Sequence, residues 1–222
     1  IGEKILDLLN RPYRLGDFDF VSTPSMGVAL YCGLAVPMDE LLKQADLAMY
    51  QAKAAGRNGM QFFDPVMQAV VNSRAALETH LREGIAGKQF FLNYQPQVDG
   101  QGQVTGAEAL LRWRHPARGM VSPADFIPLA EETGLILPLG HWVLETACQQ
   151  LVSWAADPQR EHLTLAVNVS ARQFCEPDFT EQLLTLLDDS GADPTRLKLE
   201  LTESMLVDNL DAIIVKMTSL RA

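Results

Sequence analysis

From Phe90 onward the sequence alternates short runs of strand-forming residues with segments of helical period, and this alternation limits the fold more than any other feature. Residues 90–97 and 104–113 read as strands, with Gly100-Gln101-Gly102 turning between them. Ser122 and Pro123 mark the start of a helix over 123–132, the serine as N-cap and the proline at its first position. A longer helix is expected over 139–154 and a strand over 163–169. A helix over 179–190 is closed by Gly191 and followed by Pro194; a strand over 197–201 and a helix over 209–221 complete the series. Repeated strand–helix units predict a parallel sheet, open or closed into a barrel.

The part before Phe90 has a different character. Residues 2–9 read as a helix with Ile5, Leu8 and Leu9 on one face. Strands are expected over 18–21 and 27–31, punctuated by Leu15-Gly16-Asp17 and Thr23-Pro24. A helix over 38–55 carries the apolar stripe Leu41, Leu42, Ala45, Ala48, Met49 and Ala52, and Gly56 is suited to end it. Phe62-Phe63 reads as a short strand. A segment this thin closes no strand order of its own and reads as the tail of something larger. Residues 66–86 form a second helical stretch, with Val70, Leu77, Leu81 and Ile85 among its polar residues, that can link two domains.

The chain of 222 residues suffices for one large domain or two small ones. With 47% apolar and 21% charged residues it is an ordinary globular sequence. No apolar run approaches the roughly 20 residues of a membrane helix. Ile1-Gly2-Glu3-Lys4 opens an amphipathic pattern rather than a secretory leader. A formal charge of −10 argues against binding DNA or RNA phosphates, yet leaves room for a small anion in a local pocket. Cys32, Cys148 and Cys175 form neither a metal-ligand spacing nor a disulfide framework, so a reducing cytoplasm is the simplest compartment.

Chemistry enters at residues 106–115, GAEALLRWRH. Ala107, Ala109, Leu110, Leu111 and Trp113 favour burial, whereas Glu108 and Arg112 need a partner charge, full hydrogen bonding or a metal to go with them. A structural Glu108–Arg112 ion pair is one explanation. The following strands offer another, because Asn168 and Glu200 end two of them and Glu203 lies just beyond. In a parallel barrel, catalytic groups gather at the carboxyl ends of strands. Two carboxylates and an amide suit a hard divalent cation such as Mg²⁺ or Mn²⁺. Singly, Asn168 could be a turn residue, and Glu200 and Glu203 could belong to a helix start capped by Thr202 or Ser204. Together, at corresponding positions of consecutive units, they favour a metal site.

Glu108-Ala109-Leu110 resembles the signature of the EAL family of cyclic di-GMP phosphodiesterases. Tyr94-Gln95-Pro96 precedes it and Leu111-Arg112-Trp113-Arg114-His115-Pro116 follows. Phe126-Ile127-Pro128-Leu129-Ala130-Glu131, Asn168-Val169-Ser170 and Glu200-Leu201-Thr202-Glu203 then come in the family's order. The first segment is similar to the end of a GGDEF, or diguanylate cyclase, domain. It carries Ser25-Met26-Gly27-Val28-Ala29, then Ala45-Asp46-Leu47-Ala48-Met49-Tyr50-Gln51-Ala52-Lys53 and Gly56-Arg57-Asn58. The resemblance implies an α/β chain in three parts. The C-terminal part of an α/β cyclase-like (GGDEF) domain spans 1–65, a linking helix 66–87, and the N-terminal part of a TIM-like (β/α) barrel of EAL type 88–222.

By the same resemblance, the full-length protein hydrolyses one phosphodiester of cyclic di-GMP to the linear dinucleotide. Glu108, Asn168 and Glu200 carry over as ligands of Mg²⁺ or Mn²⁺, and Glu203 as a supporting carboxylate. Gln95 and Arg112 would contact the dinucleotide, and Leu110 would line its pocket. Arg112 offers a planar fork to a phosphate oxygen. Lys53 and Arg57 would reach GTP phosphates in a complete cyclase site. Read from the residues alone, they are solvated cations well placed at a helix C-terminus, and that reading is preferred. The cyclase signature and the family's later barrel segments, an aspartate pair, a lysine and a glutamate, are not among these 222 residues. By themselves these residues are therefore expected to be inactive, the activity belonging to the full-length protein. The alternative is a sensor that binds cyclic di-GMP or GTP without turnover and signals by domain rearrangement. A homodimer is among the assemblies left open.

Overall fold

The computed structural model describes residues 1–31, 33, 36–201 and 216–218. They divide into two compact units, Ile1–Ala76 and Leu77–Ala222. In the first, α1 (Gly2–Leu9) precedes an antiparallel hairpin of β1 (Tyr13–Leu15) and β2 (Phe18–Phe20). The sequence reading has no counterpart to β1, whose Tyr13-Arg14-Leu15 is extended because it pairs with β2. β3 (Met26–Val28) pairs in parallel with β4 (Met60–Phe62), and α2 (Met38–Ala54) runs between them. At Gly27 a Cβ would lie 2.9 Å from Met49 Cα, so a glycine there is what lets α2 approach the strand. Ala48 and Ala52 of the expected stripe are buried. Gly56 follows the helix with φ +111°, as a helix-ending glycine should.

α3 (Pro65–Ala86) runs from the first unit into the second. There the sheet comprises β5 (Phe90–Val98), β6 (Val104–His115), β7 (Gly119–Val121), β8 (Thr164–Val169) and β9 (Leu197–Leu201). Its order is β5-β6-β8-β9, with β7 beside β6. α4 (Pro123–Thr133) and α5 (Ile136–Ala155) connect β7 to β8; α6 (Ala171–Cys175) and α7 (Phe179–Ser190) connect β8 to β9. Ser122 caps α4, its Oγ accepting from the Ala124 amide. Gly191 closes α7 in the left-handed conformation. The expected helix over 209–221 lies outside the described residues except at 216–218, which are helical. No helix among the described residues is long and apolar enough to cross a membrane.

One expectation is corrected. β6, β8 and β9 are parallel, but β5 runs antiparallel to β6. The turn around Gly100-Gln101-Gly102 is too short for a crossover, which takes a dozen residues or more. It closes instead as a hairpin in which Asp99 Oδ1 accepts from the Gln101 and Gln103 amides at 2.8 and 2.9 Å.

Side chains alternate across each strand, giving the sheet two unlike faces. On one, Ala107, Ala109, Leu165, Val167 and Val169 join Val143, Ala147 and Leu151 of α5 and Leu183 and Leu187 of α7 in a buried core. A second cluster gathers Leu81 of α3, Phe90, Trp113, Phe126 and Leu129 of α4, and Leu139 of α5. Burying one such side chain contributes roughly 1.5–3 kcal/mol. The helices therefore hold to this face, and the polar residues of the strands are left on the other.

Candidate active site

Glu108, Leu110 and Arg112 alternate onto that second face of β6, where Gln95 of β5 stands opposite Glu108 in the antiparallel register. On the other side, Glu108 pairs with Ala166 of β8, and Asn168 pairs with Glu200 of β9. Asn168 lies on the same face, two residues beyond Ala166, and its Nδ2 donates to Glu108 Oε1 at 2.7 Å. Four neighbouring strands thus carry Gln95, Glu108, Asn168 and Glu200 in a row. Glu108 occupies the middle of β6, not its end. In the parallel register Glu108 is level with Ala166, so it reaches the strand-end amide of Asn168 one same-face position further along β8.

Among the described residues no ion pair joins Glu108 to Arg112, whose Nη1 donates instead to the Leu111 carbonyl at 3.1 Å. Strand geometry gives the reason. Four residues along an extended strand separate two Cα atoms by about 13 Å. The partner of Glu108 comes from β8, not from its own strand.

β6 and β8 stay in register only as far as Ala109 and Val167. Past that point lies a cavity of about 280 Å³, with Leu110, Arg112 and Asn168 in its wall. Glu131 of α4, Ser170, and Gln173 of α6 line it too. Gln95 is exposed on β5, and Glu200 is half-buried on β9. Glu203 lies outside the described residues. Lys53 and Arg57 belong to the first unit, both exposed: Lys53 in the last turn of α2, Arg57 just past it with its amide on the Ala52 carbonyl. Their charges complement the carbonyl end of that helix.

Sequence reasoning did not single out Gln173. Its local signal is the spacing Ser170-x-x-Gln173, a capping pattern, and Ser170 Oγ accepts from the Gln173 amide at 3.1 Å. What brings its side chain to the cavity is the packing of α6 on α5, which no local pattern records.

Glu108, Asn168 and Glu200 offer two carboxylates and an amide oxygen, hard donors of the kind Mg²⁺ and Mn²⁺ take. The 2.7 Å contact brings the first two side chains together through Asn168 Nδ2, so an ion held between them would take the amide turned over to present its oxygen. Among the described residues no three His, Cys, Asp or Glu side chains cluster, so a cation here would depend on the amide as well as the carboxylates.

Residues 78–222 match the family model of the EAL domain, and residues 1–59 that of the diguanylate cyclase, GGDEF domain. Over its full length the chain is 39% identical to the bifunctional diguanylate cyclase/cyclic di-GMP phosphodiesterase MucR of Pseudomonas aeruginosa, covering 32% of that protein. Over 94% of its length it is 36% identical to the cyclic di-GMP phosphodiesterase PdeR of Escherichia coli, covering 31%. The chain thus spans about a third of the length of these relatives. Among solved structures, the MucR phosphodiesterase in its c-di-GMP complex aligns with a TM-score of 0.63 at 39% identity, over 66% of this chain and 59% of that one. The EAL enzyme Bd1971 with cAMP and cyclic di-GMP bound gives 0.65 at 29% identity, over 85% and 49%. The mixed α/β architecture, a partial TIM-like barrel, agrees with these neighbours. The chain belongs to the EAL domain family, with a GGDEF domain segment ahead of the EAL domain.

Proposed function

We propose that the full-length protein carrying this chain hydrolyses cyclic di-GMP to the linear dinucleotide, with a divalent cation held by Glu108, Asn168 and Glu200. The observation that carries this reading is the row of Gln95, Glu108, Asn168 and Glu200 across four strands, opening beside a cavity that contains Arg112. The names of MucR and PdeR support the same substrate.

Mg²⁺ or Mn²⁺ bound there would stabilise charge on the scissile phosphate and make a bound water more acidic. The chain's own residues supply the rest. Asn168 orients the Glu108 carboxylate through their hydrogen bond. Arg112 presents its guanidinium to a phosphate oxygen from the cavity wall, where Leu110 packs against the ligand. Gln95, across from Glu108, adds a hydrogen bond at the outer edge. Glu203, three residues beyond Glu200 in the sequence, is assigned as a supporting carboxylate.

The domain assignment is 1–65 for the GGDEF part, 66–87 for a linking helix and 88–222 for the EAL part. The continuity of α3 across the two compact units supports the helical link. Action in the cytoplasm is in keeping with the free thiols of Cys148 and Cys175.

The test is incubation of the full-length protein with cyclic di-GMP and Mg²⁺, followed by separation of the linear product. Glu108→Ala should abolish turnover, and retained activity would refute its role as a metal ligand. Tight binding without product would favour the sensor.

A further inference from the structure

The cavity beside β6 has in its wall a polar side chain without a hydrogen bond to the described residues. Gln173 is 7% exposed, yet its side-chain amide makes no hydrogen bond among the described residues; its one hydrogen bond to a side chain is made by the backbone N–H. The amide is not sealed off, since it lines the cavity and keeps access to whatever fills it. A polar group that the fold holds at a cavity wall without a protein partner is available to a ligand.

Its position is built by the fold. The Ser170 cap holds the backbone of Gln173 in the first turn of α6. On the facing helix, Gly140 makes room for the amide: a Cβ there would lie 2.6 Å from Gln173 Cδ and 2.8 Å from Nε2. The amide thus packs on the backbone of α5 at Gly140 while lining the cavity. The surrounding wall is largely apolar, with Leu110, Ile127, Leu139 and Val143, and Arg112 is its cationic member. Glu131, Asn168 and Ser170 complete its polar lining. A slot with apolar walls, hydrogen-bonding groups and one guanidinium suits a flat heterocyclic base attached to a phosphate.

We propose that Gln173 reads the base of the bound cyclic dinucleotide, its amide donating to guanine O6 and accepting from guanine N1–H. This rests on the cyclic di-GMP reading of the site and adds the residue that recognises the base. Guanine presents O6 and N1–H side by side, which an amide meets with two bonds in one orientation. Adenine presents donor and acceptor in the opposite order, so binding it requires the amide to turn over against Gly140.

The experiment uses the full-length protein with cyclic di-GMP and cyclic di-AMP, measuring Kd for both and kcat and KM where turnover occurs. Gln173→Met should weaken cyclic di-GMP binding by roughly five- to a hundredfold, the range for losing a paired base contact, with kcat little changed. Preference for cyclic di-GMP over cyclic di-AMP should fall by a similar factor. Gln173→Glu sets an oxygen against O6 and should weaken binding further; it gives the same readout should Q173M fail to fold. Equal losses for the two dinucleotides, or a fall in kcat at constant KM, overturn the proposal, since a merely structural role acts on both ligands alike. Wild-type protein that neither binds nor hydrolyses cyclic di-GMP overturns the functional reading and this proposal with it. Wild-type binding with an unchanged preference in Q173M overturns this proposal alone.

Discussion

Gly106→Ala should wedge β6 away from β8 and break the contact on which the candidate site depends. Gly106 pairs with Thr164, two residues before Glu108 on the same face. A Cβ at Gly106 would lie 2.5 Å from the Thr164 carbonyl oxygen, so the strands must open by roughly 0.9 Å to reach the 3.4 Å of an ordinary contact. A backbone carbonyl cannot rotate away as a side chain can. Overpacking of this kind costs about 1–3 kcal/mol, which lowers the melting temperature of a unit this size by roughly 3–10 °C. The same opening, carried along the ladder, stretches the 2.7 Å Asn168–Glu108 hydrogen bond toward the limit of a useful one. The assay is a thermal melt of full-length G106A beside steady-state hydrolysis of cyclic di-GMP, with both expected to fall. Thr164→Ala in the G106A background serves as a control, because it removes the hydroxyl and leaves the carbonyl. Wild-type melting and activity in G106A, or full rescue by T164A, would show that backbone spacing at Gly106 does not set the site.

Two further perturbations probe the walls of the same unit. Burial, the neighbouring His80 ring and Arg118 hold the His115 imidazole below its usual range, while Glu83 pulls the other way. Its Nδ1 accepts from the Ala117 and Arg118 amides, which the neutral ring alone can do. With the folded value below the unfolded one, this stabilisation is complete above about pH 6.5 and is lost as pH falls from there through the folded value. His115→Gln should therefore flatten the acid side of the stability curve, and an unchanged slope in denaturant titrations below that pH would contradict the assignment. Arg172 Nη1 donates to the Glu131 and Glu132 carbonyls at 2.6 and 3.4 Å, closing the end of α4. Arg172→Ala should cost roughly 0.5–1.5 kcal/mol and speed amide exchange at residues 130–134, with the sheet unaffected. Exchange that rises evenly across the unit would argue against a local cap.

Much of this protein is legible along the chain. α7 follows from a clean amphipathic period closed by Gly191, α4 from Ser122 and Pro123, and β9 from its alternating leucines. These signals are local: caps, breakers and periodicity act between residues a few positions apart. β1 and α6 escaped because three and five residues carry too little period to stand out. Their structure comes from what they pack or pair with.

The sequence by itself determined the family, the elements and the residue types from which a site could be made: Glu108, Asn168 and Glu200 in successive strand units, with Arg112 nearby. Tertiary structure alone decided how they meet. It set β5 antiparallel to β6, turned Glu108 to Asn168 rather than to Arg112, and brought the amide of Gln173 to the cavity against Gly140. The physical reason is separation along the chain. Glu108 and Asn168 are 60 residues apart, and no pattern of neighbours encodes their contact. It exists because burying the apolar face of β6 and β8 against α5 and α7 places the polar face of both strands in one register.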